Sequence, residues 1–206
     1  RLIAFGWRAR GTIGQATREA FDAGCALASL TYKIARRGRR VRFICHSLGA
    51  RAALKAIAEL PGPIVDKAIL MVPAVSQDEV RTTLRSPAGK ACQFLNISTR
   101  ENLLFDLAYL ASRGLAEWPV AQGFCQESPN WANLRIDLKS ERHRLARLGF
   151  PIAQPARRVC HWSPYLRPGL FPAYRAFLSG SLPIAALRPD APFQRNLRVR
   201  TLDPAP

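Results

Sequence analysis

At 206 residues, with hydrophobic residues at 48% and charged residues at 22%, the chain is long enough for one packed domain and too apolar for a disordered one. Its formal net charge of +17 arises from 31 basic against 14 acidic residues, and arginine dominates the basic set. The basic residues are scattered, with Arg36, Arg37, Arg39, Arg40 and Arg42 the only dense group and no aromatic side chain among them, so no specific nucleic-acid partner is expected.

In chain order, the apolar run Leu2 to Phe5 ends at Gly6 and reads as a buried strand. From Gln15 to Arg37, Phe21, Cys25, Ala28 and Tyr32 recur at helical spacing, and Arg36, Arg37 and Gly38 supply a stop. Val41 to Cys45 is a second short strand, followed by Ser47 and by an Ala-rich helical stretch, Ala50 to Leu60, that Pro61-Gly62-Pro63 closes. Lys67 to Val72 and Ala91 to Ser98 are further strands, separated by a polar piece containing Ser76 to Leu84. Leu103 to Arg113 reads as helix, Trp118 to Asn130 as loop, Leu134 to Leu138 as a last strand, Ser140 to Leu148 as a short basic helix and Phe171 to Leu178 as another helix.

Short apolar strands alternating with helices predict an α/β fold with a mostly parallel central sheet and helices on both faces. The predicted organisation is one domain over residues 1–180 and a Pro-containing tail over 181–206. No apolar run reaches the roughly 18 residues of a membrane span. Five cysteines, at 25, 45, 92, 125 and 160, form no CxxC pair and no metal-ligand spacing; reduced thiols and the absence of a secretion pattern favour the cytoplasm.

A serine hydroxyl becomes a nucleophile when it is held exposed beside a base, and a strained strand-turn-helix bend does the holding. Phe43-Ile44-Cys45-His46-Ser47-Leu48-Gly49-Ala50 has that form: an apolar strand, Ser47, and a small residue two positions later. Cys45 stands where the pattern usually has glycine. The segment resembles the nucleophile elbow of α/β-hydrolases, above all bacterial esterase- and lipase-like members. The resemblance implies a serine hydrolase acting on a small-molecule acyl ester through an acyl-enzyme on Ser47, with the Leu48 N–H in the oxyanion hole and no cofactor.

It further implies the chain order serine, acid, histidine. Of three histidines, His46 lies within the elbow, where its side chain is expected to point away from the site, and His143 lies on a charged helix. His161 is therefore the expected base. The acid should follow the strand Ala91 to Ser98; Asn102 occupies the position where Asp is usual, and Glu101 and Asp106 flank it as the two candidates, with Asp137 third. In the family a second oxyanion donor comes from a loop after an earlier strand that is next to the elbow strand in the sheet. With only Leu2 to Phe5 ahead of the elbow, the resemblance implies a hydrolase incomplete at its N-terminus, or one in which Gly6-Trp7 serves as the donor loop. A non-catalytic domain of the same fold and a basic anion-binding protein are the competing expectations.

Overall fold

The computed structural model describes residues 2–114 and 117–188. Thr12 opens the first helix with a capping box in which its hydroxyl accepts from Gln15 N–H and the Gln15 side chain reaches back to the Thr12 N–H; α1 then runs Ile13–Ala35. β1 (Val41–His46), α2 (Leu48–Glu59) and β2 (Val65–Met71) follow. Beyond them come α3 (Gln77–Arg85), α4 (Pro87–Ala91), β3 (Gln93–Ser98) and α5 (Leu103–Ser112). β4 (Trp131–Arg135), α6 (Lys139–Arg147), α7 (Ser163–Leu166), α8 (Leu170–Ser179) and α9 (Ile184–Leu187) complete the described residues. The piece around Ser76 to Leu84 is helical because Ser76 and Glu79 form a second capping box.

The four strands are parallel in the order β1-β2-β3-β4, with Cys45 beside Leu70, Leu70 beside Asn96 and Asn96 beside Asn133. The protein has an α/β fold. Alternate strand residues feed two cores, as a two-fold side-chain period demands. One face packs Phe43, Ala68, Leu70 and Phe94 against Leu54, Ile57 and Ala28 of α2 and α1. The other packs Ile69, Leu95, Ile97 and Leu134 against Leu145, Tyr174 and Phe177. Helices α1 and α2 approach closely at Gly24, where a Cβ would come within 2.9 Å of the Ala52 carbonyl oxygen.

Three expectations change. Leu2 to Phe5 forms no strand: Leu2 is 91% exposed, and the run has no neighbouring ladder to take its backbone groups. The last strand lies a few residues earlier than Leu134 to Leu138, because Trp131 and Ala132 pair with Phe94 and Leu95. The tail does not begin at residue 181, since Leu182, Ile184 and Leu187 are buried in the second core; the rest of that predicted tail, 189–206, lies outside the described residues.

β1 is an end strand. Among the described residues nothing pairs with its outer side, and Ile44 there is 45% exposed. Every residue from Val41 to His46 lines a cavity of about 520 Å³ whose far wall includes Leu2, Phe5 and Trp7. β2 and β3, by contrast, are buried from Ala68 to Met71 and from Phe94 to Ser98.

Candidate functional site

The carboxyl ends of parallel strands collect loops that a flanking sheet holds rigid. Ser47 sits in the turn between β1 and α2 with φ 52° and ψ −124°, backbone space that costs a non-glycine residue about 1–3 kcal/mol. Three hydrogen bonds hold it there. The Ser47 N–H donates to the Met71 carbonyl at 2.9 Å, and the Ser47 carbonyl accepts from Ala74 N–H at 3.2 Å and Ala50 N–H at 3.1 Å. Val72, in the loop that supplies these partners, has φ 42°, a second strained position in a β-branched residue. Cys45 fits in the glycine position by packing against the first core, and burial pushes its thiol up to about 12.

The bend leaves the start of α2 open. Among the described residues no acceptor takes the Leu48 N–H, which lies at the positive end of the helix. The Trp7 ring lies against Gly49, and its buried indole N–H has no partner among the described residues.

His161 is brought to the same end of the sheet. The Cys160 N–H donates to the Glu101 carbonyl at 2.8 Å, tying the loop before α7 to the loop after β3. The His161 ring is 4.3 Å, centroid to centroid, from His46, the residue preceding Ser47, and stacks on Phe105 at 4.4 Å. His46 thus does not point away: its Nε2 is 2.9 Å from the His161 carbonyl oxygen and its ring stacks on Trp162. An apolar, aromatic setting accounts for the electrostatics, since burial first, and the nearby His46 second, push the His161 imidazole down to about 4. His143 is exposed on α6, away from these groups.

Neither predicted acid touches His161. Its Nδ1 is 2.6 Å from Oδ1 of Asn102, at the end of a 3-10 turn spanning Arg100–Asn102. Glu101 faces elsewhere: its carboxylate forms a buried ion pair with Arg167 and accepts from Ser163 Oγ at 2.5 Å and Thr99 Oγ1 at 3.0 Å. The reason is charge, because Arg167, from the junction of α7 and α8, is itself buried and needs a counter-ion. Asp106 stands one residue further back. Its Oδ1 accepts from Asn102 Nδ2 at 2.7 Å and its Oδ2 from Gln122 Nε2 at 2.5 Å. Burial, partly offset by those two amides, raises its carboxyl to about 7. Asp137 binds Arg100 N–H and Arg135 on the edge of the site.

Asn102, marked in the sequence only as standing where Asp is usual, is the residue that holds the imidazole, and Gln122 lies outside every sequence motif. Gln122 belongs to a 3-10 turn, Val120–Gln122, pinned when Asn96 Nδ2 donates to the Val120 carbonyl and Val120 N–H to the Val75 carbonyl; no local pattern announces such contacts.

The dense arginine group occupies the turn between α1 and β1, at the opposite end of β1 from Ser47 and about 20 Å away by strand rise. Arg42 is engaged with Asp66 at 3.1 Å. Among the described residues no group of three or more His, Cys, Asp or Glu side chains is placed to hold a metal ion, and no helix is long and apolar enough to cross a membrane.

No family model matches the chain, and no curated protein or solved structure matches it either.

Proposed function

We propose that the protein is a serine hydrolase acting on a small-molecule carboxylic ester through an acyl-enzyme on Ser47, built on an α/β-hydrolase-like domain. The observation that carries the reading is the conjunction of a strained, hydrogen-bonded serine turn with an imidazole oriented by Asn102 and packed on the residue before that serine. Donation from Nδ1 to the Asn102 oxygen leaves the Nε2 lone pair free to take the Ser47 proton, so the amide fixes the tautomer as a carboxylate does in the usual triad. The Leu48 N–H supplies one oxyanion donor, and the adjacent Gly6-Trp7 segment is the source of the second. Five free thiols suit a reducing compartment, the cytoplasm in our reading.

A fluorophosphonate probe tests this. Wild-type protein should be labelled at Ser47, and Ser47→Ala and His161→Ala should lose the label. A folded wild-type protein that takes up no probe, or a Ser47→Ala variant labelled as well as wild type, overturns the proposal.

One observation favours a second reading, a non-catalytic binding domain of the same fold: the imidazole has a neutral partner and a depressed proton affinity, which together make a weak base. Turnover of short-chain nitrophenyl esters that disappears with His161→Ala rejects it.

A further inference from the structure

Behind the imidazole a chain of side chains continues inward: His161 Nδ1, the Asn102 amide, the Asp106 carboxyl and the Gln122 amide, joined at 2.6, 2.7 and 2.5 Å. The last three residues are buried. An amide can turn by half a rotation and exchange its oxygen for its NH2, which would present two donors to a histidine. Asp106 removes that freedom. Its two oxygens each accept from an amide NH2, so Asn102 keeps its nitrogen turned inward and its oxygen turned toward His161.

We propose that Asp106 is a positioning residue for His161: acting through the Asn102 amide, it holds the imidazole in the tautomer with its proton on Nδ1. The inference rests on the hydrolase reading for its catalytic consequence, while the tautomer itself is a property of the folded protein. Turning Asn102 over would make its NH2 the donor to Nδ1 and drive the ring proton to Nε2, the atom that must accept the serine proton. Gln122 completes the arrangement by saturating the second carboxyl oxygen, and it is fixed by the hydrogen bonds that tie its turn to Val75, Pro73 and Asn96. Asp106 is thus placed for hydrogen-bond direction: as a carboxylate it accepts at both oxygens, and that is what keeps both amide nitrogens turned toward it.

The experiment compares Asp106→Leu with Asp106→Asn. The asparagine can still accept from Asn102 if Gln122 turns its own amide; leucine cannot. Nitrogen chemical shifts of His161, assigned by comparison with His161→Ala among only three histidines, report the ring tautomer without requiring activity. We expect wild type and Asp106→Asn to show the Nδ1–H form and Asp106→Leu a mixture. A wrong-tautomer histidine in a serine triad is nearly inactive, at a cost of about 10⁴-fold, so kcat/KM for ester turnover in Asp106→Leu should fall in proportion to the Nδ1–H fraction lost, about twofold for an equal mixture, through kcat and not KM. A folded Asp106→Leu protein with an unchanged His161 tautomer overturns the proposal, and so does an Asp106→Asn protein whose tautomer is as mixed as that of the leucine variant. Failure of the wild type to turn over ester, with the tautomer shift still present, defeats the hydrolase reading and leaves the positioning role standing.

Discussion

Glu101 and Asp106 enter the interior on either side of Asn102, and the protein treats them in opposite ways. Glu101 meets the buried guanidinium of Arg167 and two hydroxyls; Asp106 meets two amides and no opposite charge. The first arrangement satisfies an ion by pairing it, which joins β3's loop to the α7–α8 junction. In the second the carboxylate accepts at both oxygens, and burial makes that ionised form costly. Two residues of similar chemistry thereby become a clamp and a guide, and what surrounds them decides which is which.

The comparison breaks first, and hardest, at the clamp. Arg167→Met leaves the Glu101 carboxylate buried and unpaired, a defect worth about 3–5 kcal/mol, so the denaturant midpoint should fall steeply while the residual folded fraction keeps its reactivity. An unchanged midpoint would mean the pair contributes nothing.

At the guide the sign reverses. Asp106 titrates near 7 when folded and near its ordinary 3.8 when unfolded, so the folded state holds a proton that the unfolded chain releases between those values. Its contribution to stability falls as pH rises from about 4 to about 7. Asp106→Asn removes that dependence: the variant should match wild type near pH 4 and exceed it at pH 8 by on the order of 4 kcal/mol, at about 1.4 kcal/mol per tenfold change in proton affinity. Parallel stability curves for the two proteins would refute it.

The smallest effect sharpens the contrast at His161 itself. Burial, and then the nearby His46, hold the imidazole at about 4, and the acid limb of kcat/KM should sit there. Asn102→Asp places a carboxylate against Nδ1 and raises the imidazole pKa by about one unit or more; the acid limb should move upward, so that at pH 5 the variant loses activity that wild type retains. A pH-rate profile that does not move would separate Asn102 from the base.

Where a signal is local, the chain carries it openly. The elbow is a run of adjacent residues, α1 and α2 show their helical period, and Ser76 with Glu79 spells a capping box three residues apart. The nearness of His161 to the Ser47 turn was legible because the chain has only three histidines. The acid was not, because the fate of Glu101 is decided by Arg167 and that of Asp106 by Gln122, partners distant in sequence with no periodic relation to the loop. Leu2 to Phe5 misled for a related reason: an apolar run becomes a strand only where a second backbone lies beside it, and composition does not reveal that neighbour.

The strand that leads into Ser47 has, among the described residues, a cavity on one side and β2 on the other. Its last residue leads straight into the bend, with no hinge between them. Any breathing at that margin of the molecule is therefore also a displacement of the hydroxyl, damped by the hydrogen bonds to Met71 at the end of β2, to Ala74 in the loop beyond it and to Ala50 in α2. Placement of the serine and fraying of the edge share one lever arm.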